Sequence, residues 1–307
     1  MTRIVSIGEC MVELAPLAEA GTYRMGFAGD TLNTAWYLAR LLKDRAQVAY
    51  YTAVGTDAVS DQMLTFLDRE TIGTASILRR PDRTLGLYMI QLQEGERSFS
   101  YWRSQSAART LAQSGQDIDT ALSGASMAYF SGITLAILAE EDRATLLGAL
   151  HRFRSAGGAV VFDPNLRPKL WPDGSTMTAA IMDAARLSDI VLPSHEDEAT
   201  WFGDATPLDT AERYALAGAQ TVVVKNGPGE IVMLDAGKTS RHRPEPVTEA
   251  VDTTAAGDSF NAGFLASRII GASLDQAVEA AAQLAARVVS HRGALVTEAV
   301  SAGDLVG

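Results

Sequence analysis

Ile4-Val5-Ser6-Ile7-Gly8, near the start of the chain, is almost continuously apolar and ends on glycine. A strand with one wet face alternates apolar and polar residues, so an unbroken run predicts a strand buried on both faces of a mostly parallel sheet. Comparable runs recur at Val48 to Ala53, Met127 to Phe130, Ala159 to Phe162, Ile190 to Leu192 and Thr221 to Val224. Helix-length stretches separate most of them. This alternation predicts right-handed strand-helix-strand crossovers, hence an α/β fold in three layers, helices covering both faces of a mostly parallel sheet.

Between Ile77 and Trp102 the period changes. LGLYMIQLQ (85–93) and RSFSYW (97–102) alternate apolar with polar residues on either side of Glu94-Gly95-Glu96, which is a hairpin signal. Met11 to Ala28, between the first strand and the first helix, is expected to supply further strands. Together they predict a small β-sheet lid that excludes water from a reactive site. No linker, repeat or low-complexity tract interrupts the 307 residues. One domain over 1–307 is therefore expected, with lid strands within about 11–30 and 77–103.

Further along, Asp252 to Asn261 reads DTTAAGDSFN and leads into the apolar-periodic stretch GFLASRIIG. Small residues at Thr254, Ala255, Ala256 and Gly257 let a ligand approach the backbone, and the first N–H groups of a helix have no partners within it. Aligned amides and the positive end of the helix dipole suit a phosphate, or the charge that develops on a phosphoryl group in transfer. Asp258, in the first turn, stands beside that point, where a carboxylate can take the proton of an attacking hydroxyl. Residue type alone leaves a second reading open, because Asp in a first helical turn also serves simply to complement the dipole.

The string as a whole resembles the C-terminal signature of the ribokinase-like, or PfkB, carbohydrate kinases, in which an Asp at this place is the catalytic base. The resemblance runs collinearly through nearly the whole chain. AGDTLNTAWYLARL (28–41) is similar to the family's Gly-rich element, which implies a sugar site at Gly29, Asp30 and Asn33. GECMVEL (8–14), GDTLNTA (29–35), GERSFSYWR (95–103), DPNLRPKLW (163–171) and DTTAAGDSF (252–260) look most similar to the branch acting on 2-keto-3-deoxygluconate. The resemblance implies a ribokinase-like fold with a β lid, ATP with Mg²⁺, and a sugar acid as phosphoryl acceptor. It makes Asp258 the base, and the amides of Ala255, Ala256 and Gly257 the cradle for the transferring group.

Two positions depart from the family pattern. Most members have Gly where this chain has Ala255, and an open cradle is compatible with Ala provided its φ is negative. The family's Asn-x-x-Glu element, which orders Mg²⁺ through water, reads Ser194-His195-Glu196-Asp197 here. Both ends differ, leaving Asp197 as the hard oxygen for the metal shell.

The carboxylate of a sugar acid requires a cation, and Arg offers a planar fork for it. Arg103, which closes the hairpin, and Arg167, beyond the strand ending at Asp163, are implied, with Arg167 facing either the sugar acid or the ATP phosphates. Tyr88 and Tyr101, on the two hairpin arms, are candidates to line the same pocket, with cross-strand packing as the alternative. For the nucleotide, VVVKNGPGE (222–230) lacks the GxxxxGK[ST] spacing of a Walker loop. It resembles the family's ATP loop, implying contacts from Lys225, Asn226, Gly227, Gly229 and Glu230, and it also reads as a hairpin turn joining Val224 to Ile231. Asn165, Ser194 and Gln283 occupy places where the family contacts nucleotide.

A net charge of −11 argues against a nucleic-acid partner, which would need clustered Lys and Arg. An anionic ligand must then be drawn by local dipoles and a few placed cations. The one cysteine, Cys10, allows no internal disulfide and is expected to be a small buried residue. No basic segment leads into an apolar signal core and no run is long enough to span a bilayer, so a cytoplasmic protein without a membrane partner is expected. Lid edges of this kind often pair, which predicts a homo-oligomer. Kinases of the same fold acting on neutral sugars, and a catalytically silent sugar-binding regulator, are the competing functions.

Overall fold

In the computed structural model, which describes residues 2–19, 21–93, 96–247 and 250–300, the first apolar run is strand β1 (Thr2–Ile7), fully shielded from solvent over its last four residues. After the Gly8-Glu9 turn come β2 (Met11–Pro16), β3 (Tyr23–Ala28), α1 (Asp30–Leu42) and β4 (Ala46–Tyr51). Next are β5 (Ala53–Val54), α2 (Ala58–Arg69), β6 (Leu78–Arg79), β7 (Gly86–Gln93) and β8 (Glu96–Trp102). α3 (Gly115–Leu122), β9 (Met127–Ser131), α4 (Gly132–Ile137), α5 (Glu140–Ser155), β10 (Ala159–Asp163) and α6 (Gly174–Arg186) follow. Then come β11 (Ile190–Val191), α7 (His195–Phe202), α8 (Pro207–Ala217), β12 (Thr221–Val224), β13 (Ile231–Asp235), β14 (Lys238–His242), α9 (Ala256–Ile269) and α10 (Leu274–Val289).

Eight strands form the main sheet in the order β14-β13-β12-β11-β10-β9-β1-β4. The pairings from β4 to β12 are parallel, and β13 and β14 return antiparallel. Successive side chains of a strand point to opposite faces. Ile7, Phe130, Phe162 and Val224 accordingly pack with Leu146 of α5, Ile181 of α6 and Tyr214 of α8. Ile4, Tyr129, Val161 and Val223 pack with Leu38 of α1, Phe264 of α9 and Leu284 of α10. Two apolar faces are why the strands read as unbroken runs.

The structure departs from the sequence reading at two strands. The run expected over 48–53 divides, because the ladder with β1 ends at Tyr51 and Ala53–Val54 turns away to pair with β6. β14 has no apolar signature at all, since KTSRH lies at the sheet edge with mostly exposed side chains. The turn after Val224 does join β12 to β13 as a hairpin, with Gly229 N donating to Asn226 O at 2.7 Å.

The small sheet has the order β3-β2-β7-β8, with β2 antiparallel to β3 and parallel to β7, and β7 antiparallel to β8. The expected hairpin turn at Glu94-Gly95 lies outside the described residues. Met11, Ala28, Tyr88 and Ile90 pack from this sheet onto Ala294 and Ala255, just ahead of α9. The carboxyl ends of β1, β10 and β12 and the N-termini of α1 and α9 therefore gather beside it, where ligands of open parallel sheets bind. Cys10, Trp36 and Trp171 are buried. Among the described residues no helix is long and apolar enough to cross a membrane.

Candidate active site

Helix α9 is entered through Ala255, at φ 59° and ψ 15°. The proviso of a negative φ at Ala255 is not met: the residue forms a left-handed cap, a conformation that costs an L residue about 1–2 kcal/mol. Asp252 braces the entry, its Oδ1 accepting from Thr254 N at 3.1 Å and Thr254 Oγ1 at 2.7 Å, and its Oδ2 from Gly293 N at 2.7 Å. Replacing Ala255→Gly is expected to stabilise the fold by roughly 0.5 kcal/mol in urea denaturation, relief of left-handed strain outweighing the added freedom of the unfolded chain. A destabilised variant would show that the bracing tolerates Ala without strain.

No side chain caps the helix. The cradle differs slightly from expectation, because Ala256 N is turned to Thr253 O at 3.2 Å. The amides of Ala255, Gly257 and Asp258 have no side-chain acceptor among the described residues, and these are the groups free to meet an anion.

Asn33, expected to bind sugar hydroxyls, contacts Asp258. Its Nδ2 donates to Asp258 Oδ2 at 2.8 Å, its Oδ1 accepts from Gly29 N at 3.3 Å, and neighbouring Thr34 Oγ1 donates to Asp258 O at 3.2 Å. The starts of α1 and α9 are thereby tied together. Glycine is required at 29, because a Cβ there would lie 2.2 Å from Glu9 O. Burial, then the nearby Asp30 and Asp163 carboxylates, push the Asp258 carboxyl up to about 8, against the Asn33 hydrogen bond and the Lys225 charge. A carboxyl titrating there is matched to proton transfer near neutral pH. Asp30 is also raised, chiefly by burial, although Asn165 Nδ2 donates to it at 2.9 Å. Asn165, expected at the nucleotide, thus contacts the start of α1.

Lys225, expected in the loop after β12, lies at the end of the strand itself. Lys225 N donates to Pro193 O and His195 N to Lys225 O, both at 2.8 Å, so the residue extends the end of β12 opposite Ser194. Its buried Nζ donates to Asn261 Oδ1 at 3.0 Å and, weakly, to Asp163 Oδ1 at 3.5 Å. Asn261 Nδ2 in turn donates to Asp163 Oδ2 at 2.8 Å and Tyr129 Oη at 3.0 Å.

On the small sheet, Tyr88 donates to Glu13 on the neighbouring strand and its ring lies 6.0 Å from that of Tyr101, the cross-strand packing given as the alternative. Arg103 forms a buried ion pair with Glu9. Only half of a bidentate fork is made, since Glu9 Oε1 and Arg103 Nε find no hydrogen-bond partner. Gly86 makes room for this carboxylate, for a Cβ there would lie 2.8 Å from Glu9 Oε1.

Arg167 is half-exposed and faces Asp197 at 3.8 Å. The Asp197 carboxyl is raised, mainly by burial, with Arg167 opposing. Among the described residues no group of three His, Cys, Asp or Glu forms a metal cage. Asp197 is a carboxylate, a donor type that suits a Mg²⁺ otherwise held by phosphate and water. Two expected nucleotide contacts are not drawn into the cluster: Glu230 pairs with Arg241 at 2.7 Å, and exposed Gln283 bonds Glu279 one turn back at 3.3 Å. Asn226 and Gly227 form the turn after β12, Gly227 at φ 51°.

Glu9, Glu13, Tyr129, Asp163 and Asn261 were not singled out by sequence. Asp163 carried a signal, being the polar end of a predicted parallel strand, and Asn261 lies one helical turn after Gly257 on the same face. Glu9 meets Arg103 only through tertiary packing.

Residues 1–299 match the pfkB family of carbohydrate kinases. The chain belongs to that family. A Haemophilus influenzae relative, named 2-dehydro-3-deoxygluconokinase, is 38% identical over 304 residues, covering 96% of each chain. The crystal structure of a PfkB protein from Polaromonas sp. JS666 superimposes on this PfkB kinase with a TM-score of 0.83 at 29% identity, over 94% of this chain and 96% of the other. A fructokinase from Vibrio cholerae O395, solved with fructose, ADP and calcium ion, gives 0.82 at 25% identity over 96% and 95%.

Proposed function

We propose that this PfkB kinase transfers the γ-phosphoryl group of ATP to the primary hydroxyl of 2-keto-3-deoxygluconate. The carrying observation is the start of α9, where a carboxylate raised to about 8 and steadied by Asn33 stands beside uncapped amides. The hydroxyl oxygen attacks the γ-phosphorus and its proton passes to Asp258. The bond from phosphorus to the bridging oxygen breaks, and ADP leaves with that electron pair. The amides of Ala255, Gly257 and Asp258 offset charge on the group in flight. Mg²⁺, when bound, would neutralise phosphate charge, with Asp197 the carboxylate available to its shell. Tyr88 and Tyr101 line the sugar side, and Arg103 supplies a fork for the acid group.

A neutral sugar is the second reading, favoured by one observation: Arg103 and Arg167 already face carboxylates, Glu9 and Asp197. ADP release measured across ketodeoxy sugar acids, fructose, ribose and nucleosides separates the two. Ketodeoxygluconate should give the highest kcat/KM, and a higher value for fructose or ribose would overturn the acid assignment.

Subunit pairing through the small sheet is supported by exposed Tyr23, Met25 and Trp102 on its strands. Sedimentation of the parent should give a dimer or larger, and Trp102→Glu should shift it toward monomer; a monomeric parent removes the idea.

A further inference from the structure

The cations near the cradle are unequal in their freedom. Arg103 and Arg167 are matched to single carboxylates, whereas the Lys225 ammonium carries three donors and has two acceptors among the described residues, one of them distant at 3.5 Å. Its third hydrogen has no partner there. The side chain keeps 10% of its surface exposed.

Its position is set against the cradle. Among the described residues, and apart from the glycine's chain neighbours and the nearby backbone of its own helix, Nζ is the one atom within 4 Å of the point where a side chain on Gly257 would begin, at 3.6 Å. Gly257 and Asn261 share one face of α9, and Asn261 holds the ammonium on that face at 3.0 Å. An oxygen seated on the Gly257 amide therefore has the ammonium beside it, at a spacing that one charge-assisted hydrogen bond of about 2.8 Å can close. The chain as a whole repels phosphate, with a net charge of −11, so a local cation is needed at the point of transfer.

We propose that Lys225 is a catalytic residue of phosphoryl transfer, donating its free ammonium hydrogen to a γ-phosphoryl oxygen held at the Gly257 amide. The bond strengthens as negative charge builds on that oxygen and as the bond to ADP breaks, which makes it a transition-state contact. The ammonium keeps its proton throughout. This inference rests on the phosphotransferase reading above and not on which sugar is the acceptor.

The competing role is that of a structural counter-ion for Asp163. Three proteins separate them: the parent, Lys225→Met, and the charge-balanced Lys225→Met/Asp163→Asn. Thermal midpoint, ATP affinity by calorimetry, kcat with the sugar acid, and slow hydrolysis of ATP with Mg²⁺ in the absence of sugar are measured on each. Lys225→Met should lose roughly 10²–10³-fold in kcat, with ATP affinity changed less than about tenfold. The double variant should regain the parent's thermal midpoint and not its turnover. Return of kcat to within about threefold of the parent in the double variant would mark a counter-ion only. ATP affinity falling as far as kcat would make Lys225 a ground-state nucleotide contact, and also overturns the proposal. If Lys225→Met fails to fold, the double variant carries the comparison. If the parent turns over no sugar acid, the substrate assignment fails by itself; the sugar-free hydrolysis rate must still drop in the variants, and an unchanged rate would sink the role of Lys225.

Discussion

Asp258→Asn is expected to lower kcat by roughly 10²–10⁴-fold while leaving ATP affinity nearly unchanged, because the amide keeps the shape and loses the proton acceptor. Asn33 can still bond to it. In the free enzyme the Asp258 carboxyl titrates at about 8, so kcat/KM of the parent should climb with pH and level off above that value. The variant should lack this limb.

Stability moves the other way. The folded carboxyl binds a proton up to about 8, whereas the unfolded chain releases it near 3.9. The stabilisation from this proton is complete below about pH 4 and is lost as pH rises toward 8. Asn does not titrate, so Asp258→Asn should exceed the parent in stability at pH 8 and draw level near pH 4. Because Asp258 is only part-buried, the difference at pH 8 is set at roughly 1–3 kcal/mol. Denaturant unfolding at the two pH values checks this, and a gap that does not change with pH rules out Asp258 as the titrating group. Activity within about tenfold of the parent removes it as the base.

Arg103→Ala is expected to cost about 3–5 kcal/mol, since it strands Glu9 as an unpaired charge in the interior. Glu9 is 2% exposed, with one carboxylate oxygen already lacking a partner. Replacing both partners, Glu9→Gln with Arg103→Met, should recover most of that loss, because no bare charge remains. The KM for the sugar acid should stay at least about tenfold raised in both proteins, each lacking a cation for the substrate carboxylate. Urea midpoints and KM read the two effects separately. A double variant with the parent's KM would make Arg103 a brace for Glu9 alone.

Much of the site was legible in the chain. The run DTTAAGDSFN announced an uncapped helix start with an Asp in its first turn, since small residues and a first-turn carboxylate are local properties. The parts that misread are those decided by partners distant in sequence. Ala255 adopts a positive φ because Asp252 binds both Thr254 and Gly293 and forces the turn. Asn33 binds Asp258 because α1 crosses α9, a contact between residues 225 positions apart.

By itself the sequence determined the layered parallel sheet, since strands buried on both faces must be apolar at every position and helices must join them in one hand. It also determined the hairpin and the uncapped start of α9, for period and capping are written within a few residues. Tertiary structure alone decided which charges meet: Glu9 with Arg103, Lys225 with Asp163, and Asp258 with Asp30 nearby. The reason is that the cost and strength of a charge depend on the burial and neighbours that only the folded chain supplies.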